Sequence, residues 1–381
     1  MGWQGMTKLA ADSKEATGVS AQIAEVTVSA YTIPTDKPEA DGTFRWTSTT
    51  IVLAHVRAAN QCGLGYSYTH ESAAALVKFL GEKIKGRDAG DPPATWRTLT
   101  EAVRNMGREG IAANAISALD TALWDLKAKL LNISLAQLFG RFREEVPIYG
   151  SGGFTSYTDR DLREQLAGWV ERDGCRFVKM KIGSEPARDP ERVRQAKDAI
   201  GDRALFVDAN GAFSPKQALA LAEVMADECD VRWFEEPVSS DDLAGLALLR
   251  RHAPPRMEIA AGEYGYDIDY FRRMLAAEAV DVQQADVTRC MGYTGFLQAA
   301  ACCEAFHTDL SGHCAPALHL PVMCAAPRVR HLEWFHDHVR IEHMLFDGSP
   351  TPRNGTIRPD LSRAGHGLVL KTKDAERFRV A

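Results

Sequence analysis

The sequence predicts an α/β protein: a barrel of eight strand–helix units joined to an α+β domain built from the first third of the chain. Three observations predict it. From about residue 145, strand-like apolar runs alternate with helical stretches such as D-P-E-R-V-R-Q-A-K-D-A-I-G. The runs start 30, 28, 27, 26, 23, 29 and 22 residues apart, the footprint of consecutive βα units with parallel strands. From the second run onward, each run carries ionisable residues at or near its end, where a closed barrel gathers its chemistry. An open, doubly wound sheet is the alternative. Such a sheet usually carries a Gly-rich phosphate loop after its first strand, and G-S-G-G-F at 150–154 is only a weak version of one.

The elements follow in order. A-E-V-T-V-S-A-Y-T-I and S-T-T-I-V-L-A-H-V read as strands, rich in β-branched residues. E-S-A-A-A-L-V-K-F-L-G-E-K-I-K-G, P-A-T-W-R-T-L-T-E-A-V-R-N-M-G and the more apolar G-I-A-A-N-A-I-S-A-L-D-T-A-L-W-D-L-K-A-K-L-L-N read as helices. Residues 21–143 therefore form the α+β domain. The polar connection between its first two strands (about 34–48) suits a lid loop. Lys37, Thr43, Arg45 and Trp46 are its candidates for facing a substrate. Residues 144–345 form the barrel, with strands V-P-I-Y-G, R-F-V-K-M-K-I, A-L-F-V-D-A, V-R-W-F-E-E, M-E-I-A-A-G, V-D-V-Q-Q-A, D-L-S-G-H and H-L-E-W-F. Residues 346–381 (N-G-T-I-R-P, G-H-G-L-V-L) return to the first domain.

The whole chain bounds the function. Its 381 residues are 45% hydrophobic and 25% charged, ordinary for a globular protein. The net charge of −6 and the lack of a basic stripe argue against nucleic acid. No apolar run reaches 18 residues, so no membrane span is expected. The start, M-G-W-Q-G-M-T-K-L-A-A-D-S-K, lacks a signal-peptide core, and Met6 stands where a myristoylation signal places Ser or Thr. Residues 1–20 read as an N-terminal extension. The eight scattered cysteines, with no C-x-x-C, read as reduced thiols of a cytoplasmic protein.

The strand ends carry Lys179 and Lys181, Asp208 and Asn210, Glu235 and Glu236, Glu263, Asp286, His313, and finally His331 and Glu333. One such residue is ordinary as a surface charge; a ring of them is not what a barrel stabilised by packing alone displays. Asp208, Glu235 and Glu263 lie on successive strands and repel one another unless a cation sits among them. All-oxygen ligation favours a hard ion such as Mg²⁺. Asp286, on the strand before His313, is suited to hold that ring in one tautomer. Lys179 and Lys181 are two apart, so they share a face.

K-x-K (179–181), D-A-N (208–210), E-E-P (235–237) and G-E (262–263), followed by Asp286 and His313, resemble the enolase superfamily, mandelate racemase subgroup. The resemblance covers nearly the whole chain and includes the helix A-L-D-T-A-L-W-D with Asp120 and Trp124. It implies a modified TIM barrel, (β/α)7β, with an α+β capping domain formed by the N-terminal segment and the C-terminal tail. It implies Asp208, Glu235 and Glu263 as Mg²⁺ ligands, and Lys181 as one general base whose pKa Lys179 keeps low. The His313–Asp286 pair is then the second acid or base. Glu333 donates a hydrogen bond to the developing ene-diolate, and Asn210 touches substrate oxygens. A Lys or His base working with Mg²⁺ on an ene-diolate is general to the superfamily.

The expected activity is abstraction of the α-proton of a carboxylate, then dehydration of an acid sugar (aldonate or aldarate) to a 2-keto-3-deoxy acid. The alternative is a racemase or epimerase of a 2-hydroxy acid using the same bases. A third reading, a non-catalytic sugar-acid binding protein, predicts an eroded site, yet every ligand and base is present. A homo-oligomer is expected by analogy with symmetric enzymes. Where the family commonly shows Gly-Gly, Met291 precedes Gly292, at a position where positive φ is difficult for Met. His336 and His338 read as exposed histidines after the last strand rather than a zinc site. His319 is a candidate for lining the pocket or for capping the following helix, Tyr66, Tyr68 and His70 for a second specificity loop, and Cys302–Cys303 for core.

Overall fold

The computed structural model describes residues 21–381. The N-terminal extension, with the readings placed on Gly2 and Met6, lies outside the described residues. The capping domain opens with an antiparallel sheet of β1 (Ile23–Ala40), β2 (Arg45–Ala58) and β3 (Gln61–Tyr68), in that order. Helices α1 (Ala73–Ile84), α2 (Pro92–Ala102) and α3 (Ile111–Leu130) pack with it. Gly63 and Gly65 let α3 lie directly on β3: a Cβ on either would meet the carbonyl oxygens of Ala122 and Ala118 at 2.0 and 2.3 Å. The short α4 (Leu135–Phe139) starts on a capping box between Ser134 and Gln137.

The barrel follows as β4 (Val146–Gly152), α5 (Asp159–Glu171), β5 (Phe177–Lys181), α6 (Asp189–Ile200), β6 (Ala204–Asp208), α7 (Pro215–Cys229), β7 (Val231–Glu235) and α8 (Leu243–His252). It continues as β8 (Glu258–Ala261), α9 (Ile268–Ala276), β9 (Val282–Ala285), α10 (Gly292–Ala305), β10 (Asp309–Gly312), α11 (Pro316–Ala325) and β11 (Val329–Phe335). The strands are parallel and in sequential order, and β11 closes on β4 with Glu333 opposite Tyr149. Closure removes the open-sheet alternative. G-S-G-G-F spans the C-terminal end of β4 and the start of the next loop. There Gly150 gives way to the Trp169 ring, which is 2.4 Å from a would-be Cβ.

Strand alternation sorts the side chains. Val178 and Met180 belong to the main apolar core. Tyr149, Phe206 and Trp233 form a separate buried cluster, with the His331 ring 4.8–5.5 Å from each. His331 is therefore part of this aromatic packing and not a strand-end site residue.

After β11 come α12 (His336–Leu345), β12 (Phe346–Asp347), β13 (Thr356–Ile357), β14 (Val369–Leu370) and α13 (Thr372–Glu376). The last residues extend the capping sheet: Val380 N donates to Ala30 O at 2.8 Å, and Thr32 N to Phe378 O at 2.9 Å. The architecture is a modified TIM barrel with an N-terminal capping domain. Among the described residues no helix is long and apolar enough to cross a membrane.

Candidate active site

Strand register assembles the site. Lys181 pairs across to Asp208, and Asp208 to Glu235, so three charged residues stand in one row at the strand ends. Glu263 follows Gly262, whose φ of 130° no ordinary side chain tolerates and whose would-be Cβ meets Gln283 Nε2 at 2.0 Å. Asp208, Glu235 and Glu263 are all buried and present carboxylate oxygens within 4.8 Å of one another. Three hard oxygen donors, one of them (Glu263 Oε2) without a hydrogen-bond partner, fit a divalent ion of the Mg²⁺ kind.

Two lysines share this negative charge. Lys181 Nζ donates to Asp208 Oδ2 at 2.5 Å and to Asn210 Oδ1 at 3.1 Å. Lys179 pairs with Glu235, with Glu333 at 2.8 Å and with Asp208 at 3.3 Å, and lies over the Tyr149 ring. Burial and the neighbouring Lys179 both lower the Lys181 pKa, but Asp208, Glu263 and Glu235 together reverse them and the pKa stands above the usual range. Burial likewise opposes charge on Lys179, and Glu235 and Glu333 override it. Glu235 itself is pushed up to about 8, by burial first and by Asp208 next. The expected tuning of Lys181 by Lys179 thus exists in direction, and Asp208 outweighs it.

On the far side, His313 Nδ1 lies 2.8 Å from Asp286 Oδ2, and its Nε2 is 3.3 Å from Glu263 Oε2 without hydrogen-bond geometry. Burial disfavours the imidazolium, but Cys314, Glu263 and Glu333 around it hold its pKa above the usual value. Asp286 is locked in place by Thr288 N and Oγ1, at 2.6 and 2.8 Å. Burial would raise its pKa, yet the bond to His313 and the charges of His313, His319 and Arg289 together hold it well below the carboxylate range. Glu333 accepts from Ser151 Oγ (2.5 Å) and Cys314 N (3.1 Å) besides Lys179. Burial opposes its ionisation, and Lys179, His313 and Lys181 together overcome it. Glu333 is an acceptor in this arrangement, where the resemblance implies a donor.

Several expectations change. The lid is not a loop but a β-ribbon. Glu39 faces Trp46, Ala40 faces Arg45, and Asp41 Oδ1 closes the turn by accepting from Thr43 N and Phe44 N. The tip rests on the barrel mouth, where Thr155 N donates to Ala40 O at 2.8 Å. Thr43 Oγ1 lies 3.4 Å from the Asn210 carbonyl. Trp46 sits edge-on to Phe154, 5.6 Å between centroids, and donates to Glu39. Arg45 is exposed. Lys37 is taken by Asp161 and lies over the Tyr157 ring, so its ammonium is not free for a substrate.

His319 does not offer a nitrogen to the pocket either. It is fully buried, Nε2 accepting from Val287 N at 2.9 Å and Nδ1 donating to Ala315 O at 3.0 Å. His336 and His338 are not exposed loop residues. Both lie on α12, with His336 Nε2 3.0 Å from Asp36 and the buried His338 ring stacked on Tyr68 at 3.5 Å. Tyr66 and Tyr68 are buried in β3 rather than in a specificity loop, Tyr66 donating to Glu342 at 2.6 Å; His70 is exposed. Met291 does adopt positive φ (64°), its carbonyl accepting from Trp96 Nε1 at 2.9 Å. Cys303 is core, Cys302 only partly buried.

Sequence reasoning missed Ser151, Cys314 and Arg289. Arg289 donates to Glu263 Oε1 at 3.0 Å and lies 3.7 Å from Asp286. Its signal was available, three residues after Asp286 and hence beside it on one turn.

Comparison with known proteins fits this geometry. Residues 25–140 match the mandelate racemase / muconate lactonizing enzyme N-terminal domain, and residues 161–375 the enolase C-terminal domain-like family. A 3,6-anhydro-α-L-galactonate cycloisomerase of Streptomyces coelicolor is 32% identical over 84% of this chain and 88% of its own. A mandelate racemase/muconate lactonizing enzyme-like protein of Rubrobacter xylanophilus superposes with a TM-score of 0.92 at 48% identity, over 94% of this chain and all of that one. A variant of the L-talarate/galactarate dehydratase of Salmonella typhimurium, bound to Mg and L-glucarate, gives a TM-score of 0.90 at 27% identity over 99% and 96% of the two chains. With a capping domain and a barrel that each match, the chain belongs to the mandelate racemase/muconate lactonizing enzyme family of the enolase superfamily.

Proposed function

We propose that the protein is an Mg²⁺-dependent enzyme that removes the α-proton of an acid sugar and expels its β-hydroxyl, giving a 2-keto-3-deoxy acid. The observation that carries the reading is the placement of two proton carriers at opposite ends of the carboxylate set. Lys181 is joined to Asp208, and His313 stands against Glu263. Relatives named as a sugar-acid cycloisomerase and as dehydratases, and one such neighbour holding Mg and L-glucarate, support the substrate class and the ion.

Asp208, Glu235 and Glu263 would hold the ion. Bound there, Mg²⁺ supplies positive charge for the substrate carboxylate and lessens the demand of Asp208 for an ammonium. Lys181, as the free amine, takes the α-proton. The proton on His313 Nε2 goes to the departing hydroxyl while Nδ1–H stays on Asp286, which fixes the ring. Lys179, anchored by Glu333, adds a cation beside the site without moving a proton. The hairpin tip at Thr43 and Trp46 is the surface that would meet the sugar chain. Arg45 and Asn210 are nearer candidates for its polar contacts than Lys37 or His319.

The test is a screen of aldonates and aldarates with Mg²⁺, reading 2-keto acid with semicarbazide. Turnover should vanish with EDTA and in both Lys181→Ala and His313→Asn. Turnover indifferent to EDTA would refute the metal assignment. The second reading, racemisation or epimerisation, rests on the same two flanking bases. It predicts solvent deuterium at the α-carbon with no keto acid, read by NMR. We also infer a homo-oligomer, which light scattering on the eluting protein reads directly.

A further inference from the structure

His313, Cys314 and Glu333 form a second donor set, separate in chemistry from the three carboxylates. The Cys314 thiol plays no part in the proposed reaction. It is 3% exposed, and its Sγ lies 3.3 Å from His313 Nε2 and 3.3 Å from Glu333 Oε2, with Nε2 and Oε2 3.6 Å apart. These separations are those of one face of a tetrahedron. With metal–nitrogen and metal–oxygen bonds of about 2.0–2.2 Å and a metal–sulfur bond of about 2.3 Å, neighbouring donors stand roughly 3.3–3.7 Å apart.

The backbone holds the thiol there. Cys314 and Ala315 both have positive φ (52° and 37°), so the turn after β10 brings the side chains of consecutive residues 313 and 314 to one point. The ring is also positioned as a ligand. A carboxylate at Asp286 accepts from Nδ1, which keeps a proton there and makes Nε2, once it gives up its own proton, the ligating nitrogen that faces the thiol. Three protein donors leave the fourth tetrahedral position to water, as in an open zinc site.

We propose that His313 Nε2, Cys314 Sγ and Glu333 Oε2 form a site for a thiophilic divalent cation of the Zn²⁺ class, distinct from the hard-cation site. On binding, the thiol proton and the proton on His313 Nε2 pass to solvent, and sulfur–metal and nitrogen–metal bonds replace the S–H and N–H bonds, with no change of oxidation state. An ion here occupies the lone pair that His313 needs for proton transfer. Thiophilic cations therefore act as inhibitors, whereas Mg²⁺, which prefers oxygen, does not compete for the sulfur.

The experiment titrates the full-length protein with Cd²⁺ in the presence of millimolar Mg²⁺. It follows thiolate-to-metal charge-transfer absorption, a readout independent of turnover and of the proposed reaction. One equivalent should produce the band in the wild type, in Cys62→Ser and in Cys302→Ser, controls for the two partly exposed thiols. Cys314→Ser should lose it. His313→Asn keeps the thiol and should bind at least about 10- to 100-fold more weakly, since losing a direct ligand costs no less than losing an outer partner. The His313 variant keeps the question decidable if the Cys314 variant fails to fold. No band in the wild type, or unchanged affinity in either folded variant, overturns the site.

Discussion

Lys179 and Lys181 show how far a single residue can be read before its neighbours are known. In the sequence they are two like charges on one face of a strand, and the simplest consequence is that each lowers the other's pKa. In the folded chain each ammonium has its own carboxylates, Lys181 with Asp208 and Lys179 with Glu235 and Glu333. The like-charge cost is offset locally, and Lys179 becomes a structural cation whose burial is complete. Removing one partner of a buried ion pair leaves an uncompensated charge and costs about 3–5 kcal/mol. Lys179→Met should therefore destabilise the metal-free protein by about that amount, with Glu333 and Glu235 left facing each other. Mg²⁺ should restore part of the loss, because it supplies charge to Glu235 and Asp208. Thermal unfolding with and without Mg²⁺ checks both halves. An unchanged midpoint without Mg²⁺ would mean that the ion pairs carry no weight. Ser151 and Cys314 were illegible for the opposite reason: a lone Ser or Cys has no pattern, and only closure of β11 on β4 brings Ser151 to Glu333.

The barrel elements were legible because each must bury one face and leave by a polar end. All eight runs read as strands are strands, and every candidate ligand or base read from them lies at the barrel mouth. The hairpin between β1 and β2 was not legible as a ribbon. Its composition, T-D-K-P-E-A-D-G-T-F-R-W-T, is that of a loop, since neither of its faces is a continuous apolar surface. It keeps its shape through the paired Glu39–Trp46 and Ala40–Arg45 rungs, the Asp41 turn and its seat on the barrel. The α12 histidines were misjudged similarly, because a polar face that packs on a second domain looks like one that meets water. Gly42 tests the seat of the hairpin. A Cβ there would stand 2.4 Å from Ala209 O and 2.7 Å from Ile182 O, two backbone atoms that cannot swing aside. Gly42→Ala should lift the tip, changing global stability little because residues 43–45 are exposed. Misplacement on the scale of an ångström costs catalysis about 100-fold at most, so kcat/KM should fall by roughly 10- to 100-fold. A value within twofold of wild type would detach the tip from the site.

At the scale of the whole molecule, the site works only if cap and barrel hold one relative position, and the chain ties them at several separated points. The C-terminal residues pair with β1, Tyr66 of the cap bonds to Glu342 of α12, and Trp96 bonds to Met291, whose left-handed backbone turns its carbonyl toward the cap. The fullest tie is Asp120 on α3. Its carboxylate accepts from Thr294 N at 2.9 Å and Thr294 Oγ1 at 2.7 Å, while Trp124 donates to the same hydroxyl. Asp120 was visible in the sequence as part of a family-like helix, but not its partner, since Thr294 lies 174 positions away in the chain. Burial pushes the Asp120 carboxyl up from 3.8 to about 7, with the bonds from Thr294 and Tyr293 opposing the rise. Between those two values the unfolded chain has released a proton that the folded chain still holds, so folding stability falls as pH rises. The contribution is fully present below about 3.8 and gone above about 7. Asp120→Asn cannot ionise in either state and keeps an acceptor for Thr294. Stability measured by urea unfolding across this range should therefore decline less steeply in Asp120→Asn than in the wild type. The gap between the two should shift in favour of the variant by at most about 4 kcal/mol, at roughly 1.4 kcal/mol for each unit of pKa difference. Parallel curves would show that this carboxyl titrates alike in both states and that burial in the tie between cap and barrel does not raise its pKa.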